Sequence, residues 1–152
     1  MNEKFFDLKK EKQDRMINAS LKVFAMNGYA HASTDDIVRE AGISKGLLFH
    51  YFVSKLGLYS FIYDYSIRYV ILELTTGVDK EETDYFRLVG QIREAELQVM
   101  RNYPCMMLFL NNSRLENVNE VLLETEDKRN ILSEKYAQIL SQATGEELDE
   151  RL

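Results

Sequence analysis

Apolar residues in the first third of the chain recur at three- and four-residue steps, the mark of helices with one buried face. Between Lys9 and Asn27, Ile17, Leu21 and Phe24 fall at i, i+4 and i+7, with Met16, Ala25 and Met26 beside them. Gly28 stands where a left-handed C-cap would end that helix, and Tyr29 to Ala32 reads as a connector. Ser33 precedes Asp36 by three positions, a start resembling a capping box. Ile37, Val38 and Ala41 then give a second, short helix its inner face before Gly42 stops it. Ser44 can cap a third helix that points Leu48 and Phe52 inward, and Ser54 can cap a fourth.

The rest of the chain continues in the same period. Leu58, Phe61, Ile62, Tyr65, Tyr69 and Leu72 predict a long helix ending near Gly77. Phe86, Val89, Ile92, Val99, Met100 and Tyr103 predict another, interrupted by Pro104. One or two more cover Met106 to Ala143, with Val118, Val121, Leu122, Leu132, Tyr136, Ile139 and Leu140 as their stripe and a break near Asn111-Asn112-Ser113. No segment alternates as a half-buried strand does. The expected fold class is all-α.

Composition narrows the class further. The 152 residues suit one compact domain or two small ones sharing a core. With 45% apolar and 29% charged residues the chain can build a core, and with seven Gly and one Pro it is short of turn residues for an all-β fold. One Cys forms no internal bridge, which points to a reducing cytoplasm. The longest apolar run, Cys105 to Leu110, falls far below the roughly 20 residues of a membrane span. The charged N-terminus, with Glu3, Lys4, Asp7, Lys9 and Lys10, does not read as a signal peptide.

The net charge of −6 is unevenly spread. Residues 1–55 carry nine Lys/Arg against seven Asp/Glu, and the remainder carries ten against eighteen. A mildly basic first third on an acidic body suits DNA contact through that third alone, although a chance split of solvated charges gives the same numbers.

Enzyme chemistry finds little support. His31 lies in a connector and His50 in a helix, so the two have no metal-ligand spacing, and no metal or cofactor is expected. Cys105 follows Pro104 in an apolar run and reads as a small buried hydrophobe. Neither a Gly-rich phosphate loop nor a G-x-S-x-G elbow occurs. Glu120, Glu124 and Glu126 read as solvated helix faces.

Residues 34–52 carry the most information: two short helices joined by Gly42-Ile43, the spacing of a helix-turn-helix. Leu47 and Phe49 would be exposed beside buried Leu48 and Phe52, which is odd for a purely structural surface. Periodicity alone still allows a buried helical hairpin. The wording decides. Gly42-Ile43-Ser44-Lys45-Gly46-Leu47-Leu48-Phe49-His50-Tyr51-Phe52, then Ser54-Lys55 and Leu58, with Ala25-x-x-Gly28-Tyr29 and Ser33-Thr34-x-x-Ile37 upstream, closely resembles the TetR family of transcriptional regulators over about residues 12–60.

That resemblance implies a three-helix DNA-binding domain over 1–54 and a helical effector-binding and dimerisation domain over 55–152. It implies that Thr34 touches a phosphate, that Ser44, Lys45, Gly46 and Leu47 form the leading turn that reads base edges, and that Lys55 binds a phosphate. Phe49 stands where the family usually has Tyr, and His50 and Tyr51 complete the expected DNA face, Tyr51 with a hydroxyl of its own. Lys45 is the best base reader, because a flexible ammonium reaches guanine O6 and N7. Lys4, Lys9, Lys10, Lys12 and Arg15 either support the backbone contact or form a solvated face.

Phe61, Tyr65, Tyr69, Phe86, Met100, Tyr103 and Met107 suffice for an ordinary core. In a chain resembling TetR regulators they would also wall a pocket for an apolar or aromatic effector. The implied protein is a homodimeric repressor on a palindromic double-stranded DNA operator, with effector binding near Tyr65, Tyr69 and Tyr103 weakening DNA affinity. A different class also fits: a helical adaptor that keeps the helix-turn-helix shape without binding DNA, favoured by Phe49 and Asp35. Thr144-Gly145-Glu146-Glu147 reads as the start of a new helix just before Arg151-Leu152, so the family's two long dimerisation helices are expected beyond this sequence or replaced by another surface.

Overall fold

The structure is a computed structural model and describes residues 3–144. A 3-10 turn, Glu3–Asp7, leads into α1 (Lys10–His31), α2 (Thr34–Ala41), α3 (Lys45–Phe52), α4 (Lys55–Gly77), α5 (Tyr85–Asn102), α6 (Met106–Ser113), α7 (Asn119–Thr125) and α8 (Ile131–Leu140). Among the described residues there is no strand. The helix start read from Gly145 onward lies outside them.

Three serines begin three successive helices for a local reason. The Ser33 hydroxyl accepts from the Asp35 and Asp36 amides, Ser44 from Leu47 and Ser54 from Gly57. Each cap satisfies a donor that the first turn leaves unpaired and stabilises its helix by about 1 kcal/mol. Gly42 closes α2 in the left-handed conformation, φ 67° and ψ 39°. The Arg15 guanidinium donates to the Ala41 carbonyl at 3.2 Å, tying that end of α2 to α1.

Gly28 departs from the expected cap. Its φ of 72° and ψ of 170° lie in a region essentially reserved for glycine. The chain kinks there and resumes one helical turn to His31, so most of the expected connector is helical and the Tyr29 ring is buried.

The 23-residue α4 is the spine, packed against α1, α5, α6, α7 and α8. Along it α5 runs back antiparallel, with Tyr103 against Tyr69 at one end and Ala95 against Gly77 at the other. Ile92, Val99 and Tyr103 of the stripe expected on α5 are buried, joined by Leu88 and Ala95, whereas Val89 is half-buried and Phe86 and Met100 are exposed. The chain after Pro104 forms three helices rather than one or two, with the break just past Ser113.

Phe5 is fully buried between the N-terminal helices and the body, its ring 5.4 Å from Phe52 and 5.1 Å from Phe61. Burying a ring of this kind is worth about 1.5–3 kcal/mol. A single apolar core thus runs from Phe5 through Leu48 and Phe52 into Leu58, Ile62, Val99 and Phe109. The boundary at 54/55 falls on the N-cap of α4, and packing continues across it.

Candidate functional site

The two short helices α2 and α3 meet at the Gly42–Ser44 turn, and Leu48 and Phe52 fix α3 against the core. This leaves Lys45, Gly46 and His50 exposed along the outer side of α3. A Cβ built on Gly46 would meet no protein atom within 4 Å, so its backbone is open to close approach. Thr34, Leu47, Phe49 and Tyr51 are half-buried, and Leu47 and Phe49 are therefore less exposed than the spacing suggests. The Ser44 oxygen is occupied as the helix cap, and Tyr51 rests against Phe5 and His50 at ring distances of 5.9 and 4.9 Å.

Two lysines of this face already have partners. Lys45 Nζ lies 2.9 Å from Asp35 Oδ1 on α2, a pairing ten residues apart that no helical spacing signals. Lys55 Nζ donates to the carbonyls of Tyr29 (2.8 Å) and Ala32 (3.3 Å) and stands 4.3 Å over the Tyr29 ring. Its ammonium therefore caps the end of α1 in this structure. Lys10 and Arg15, expected on a solvated or DNA-contacting face, remain exposed and pair with carboxylates one turn away on α1. Lys10 bonds Asp14 (2.6 Å) and the Tyr103 hydroxyl (3.1 Å), and Arg15 pairs with Glu11 at 2.9 Å.

In the body the expected ligand wall is dispersed. Tyr65, Tyr69 and Tyr103 pack on one another between α1, α4 and α5, with the Tyr65 and Tyr103 hydroxyls 2.7 Å apart and Tyr103 donating to Asp14 at 2.9 Å. Burial raises the phenols of Tyr65 and Tyr103 well above their ordinary range, as does the carboxylate of Asp14. Phe61 belongs to the Phe5 cluster, and Phe86 and Met100 are exposed, at 51% and 44%. Of the stripe expected on α5, Ile92, Val99 and Tyr103 are buried, whereas Phe86 and Met100 fall at its exposed edge.

Of those seven residues only Met107 lines the cavity of about 300 Å³ enclosed by α4, α5, α6 and α8. Ile67, Met107 and Leu132 form apolar wall, and Tyr63 and Tyr136 bring hydroxyls. The Tyr136 hydroxyl donates to Glu96 at 2.6 Å, and burial together with that carboxylate raises its phenol. Arg114, after α6, and Arg129, before α8, complete the lining and were not singled out by the sequence, where isolated arginines resemble any solvated charge.

A chain of contacts joins this region to the helix-turn-helix. The Tyr29 amide donates to Glu116 at 3.0 Å and its hydroxyl to Glu120 at 2.9 Å. Burial first, then the Glu120 hydrogen bond and the Glu120 and Glu116 charges, push the Tyr29 phenol up to about 12. Among the described residues no group of three or more His, Cys, Asp or Glu is placed to hold a metal, and no helix is long and apolar enough to cross a membrane.

Comparison with known proteins agrees with this geometry. Residues 16–60 match the family model described as bacterial regulatory proteins, tetR family. YuxN of Bacillus subtilis, an uncharacterized HTH-type transcriptional regulator, is 38% identical over 93 residues, 59% of this chain and 32% of its own length. TtgW of Pseudomonas putida, of the same description, is 40% identical over 47 residues, 31% of this chain and 35% of its own. The matched stretches thus span about a third of these relatives. The crystal structure of a putative tetR family transcription regulator from a Shewanella species superposes with a TM-score of 0.61 at 22% identity, covering 88% of this chain and 70% of that one. PfmR, a TetR family transcriptional regulator from Thermus thermophilus, gives 0.59 at 23% identity, covering 84% and 69%. The sequence match falls on α1 to α4 and the fold match extends into the body. Through its helix-turn-helix, residues 16–60, the chain is similar to the TetR family of bacterial regulatory proteins, and its fold matches solved members over most of its length.

Proposed function

We propose that this chain is a cytoplasmic transcription regulator of the repressor type, a homodimer that binds a palindromic DNA operator and releases it when a small molecule enters the helical body. Residues 1–54 would supply the DNA contact and residues 55–152 the effector and dimer functions. The observation that carries this reading is the exposed leading turn of α3, Lys45 and Gly46, on a core-anchored helix-turn-helix of TetR type.

The physics of that interface is simple. Lys45 and His50 face outward where base edges would lie, and Thr34 stands at the start of α2, suited to a phosphate. One helix-turn-helix supplies few base contacts, so two-fold repetition on a palindrome would raise both affinity and specificity. The Tyr29 contacts to Glu116, Glu120 and Lys55 offer a route by which the body could bias the DNA face. An effector shifts that equilibrium only by its differential affinity for the two states.

A second reading is an adaptor that keeps the shape without binding DNA. The Asp35–Lys45 pair favours it, because a carboxylate stands where DNA would bring phosphates. A gel shift with DNA flanking the chain's own gene, at low and moderate salt, separates the two. A shifted band that weakens with salt and outcompetes scrambled duplex supports the regulator. Full absence of a shift at low salt leaves the adaptor.

A further inference from the structure

We infer that the cavity between α4, α5, α6 and α8 is an anion site, taking a small molecule with an apolar body and one carboxylate or phosphate head held between Arg114 and Arg129. This rests on the reading that the body cavity receives the effector, and it replaces the expectation of a purely apolar or aromatic ligand with a charged one.

Two guanidiniums from different connecting segments border the same cavity, and among the described residues neither has an ion pair or a side-chain hydrogen bond. Most other arginines of the fold are committed: Arg15, Arg39, Arg68 and Arg101 each hold an acidic partner. The charges of Arg129 and Arg114 both act on Tyr63, opposing the rise that burial imposes on its phenol, so the two cations and that hydroxyl share one environment. Glu96, the carboxylate on this wall, is engaged by the Tyr136 hydroxyl at 2.6 Å. Two positive charges against one leave the cavity net positive.

The arginines are also held in place. Lys128, next to Arg129, pairs at 3.0 Å with Asp64, whose side chain is only 10% exposed, and this fastens the turn before α8 to the spine. Two residues beyond Arg114, Glu116 accepts from the Tyr29 amide. A planar guanidinium fork matches a carboxylate or phosphate in two parallel hydrogen bonds, with hydroxyls of Ser113 and Ser133 on the same wall. In the same lining Ile67, Met107, Leu110 and Leu132 offer apolar surface for a tail. An anion drawn onto Arg114 acts on the segment that carries Glu116 and Glu120, and through them on Tyr29 and Lys55.

The test is calorimetric titration of the full chain, without DNA, against octanoate, octyl phosphate, 1-octanol and inorganic phosphate. Octanoate or octyl phosphate should bind at least tenfold tighter than 1-octanol and than inorganic phosphate, and the tighter of the two identifies the head group. Arg114→Gln/Arg129→Gln should erase the preference over 1-octanol while keeping the melting temperature, and Arg101→Gln, away from the cavity, should leave it intact. Arg129→Lys, which keeps the charge and loses the fork, should retain part of it should the double variant fold poorly. Equal binding of the alcohol, survival of the preference in the double variant, or binding by none of the four probes overturns the proposal. Because no DNA is present, failure here is distinct from failure of the gel shift.

Discussion

Asp35 at the start of α2 holds Lys45 at the head of α3, with Oδ1 and Nζ 2.9 Å apart across the turn of the helix-turn-helix. The hydrogen bond from Lys45, and then its charge, keep the Asp35 carboxyl below the usual carboxylate range. To read a guanine, Lys45 must exchange this partner for O6 and N7, and Asp35 is left beside phosphates. Asp35→Asn should therefore tighten operator binding, by roughly two- to fivefold for an exposed pair. Lys45→Ala should cost about 1–3 kcal/mol on the preferred half-site and relax the choice of base. In the Lys45→Ala background most of the Asp35→Asn gain should vanish, which an anisotropy titration of the four-member cycle reads directly. Weaker binding by Asp35→Asn would instead make Asp35 a positioning residue for Lys45.

Lys55, proposed as a phosphate contact, holds the end of α1. Its ammonium satisfies the Tyr29 and Ala32 carbonyls, and hydrogen bonds to a charged group contribute about 1.5–3 kcal/mol. Lys55→Met should lower the melting temperature by roughly 4–10 °C on the scale of a domain this size. It should also weaken operator and scrambled duplex by the same factor, since no base is read. Calorimetric melting together with titrations of both duplexes checks this. A changed base preference at unchanged melting temperature contradicts it.

Gly46 has open space around its Cα and sits inside a helix, where glycine costs about 1 kcal/mol relative to alanine. Gly46→Ala should raise the melting temperature by roughly 2–4 °C. If α3 lies close in the major groove, the same methyl should reduce DNA affinity. Gain of stability with loss of binding is the expected pair of outcomes, and unchanged binding would move the groove contact away from Gly46.

Tyr29 links proton binding to folding. Its phenol is held at about 12 against an ordinary 10.0, so the folded chain keeps this proton more tightly than the unfolded one. The stabilisation is fully present below pH 10 and is lost as pH rises from about 10 towards 12. Tyr59, Tyr65, Tyr103 and Tyr136 are raised as well and steepen the alkaline decline. Tyr29→Phe should remove its share, giving a shallower fall of melting temperature over that window in circular dichroism. An identical slope would show that Tyr29 does not contribute.

The helices and their starts were legible because their causes are local. Ser33, Ser44 and Ser54 each bond an amide two or three residues ahead, and Gly42 ends α2 where the stripe of Ile37 and Ala41 runs out. The inward direction of Leu48 and Phe52 followed from their four-residue spacing. The helix-turn-helix was legible for the same reason: its wording is contiguous, and the family match falls on residues 16–60.

What only the tertiary structure decided depends on partners far along the chain. Phe5 stands outside any periodic stripe and is buried only because Phe52 and Phe61 leave room for its ring. On α5 the spacing finds Ile92 and Val99, but only packing against α4 adds Leu88 and Ala95 to the buried face and leaves Phe86 and Met100 about half exposed. The Tyr65–Tyr103 hydroxyl contact spans 38 residues and the Tyr29–Glu120 bond spans 91, distances over which spacing carries no information. Helix period and capping are set within a turn or two of the chain, whereas a cavity such as the one beside Arg114 and Arg129 is the space several helices fail to fill, and it exists only once all of them have packed.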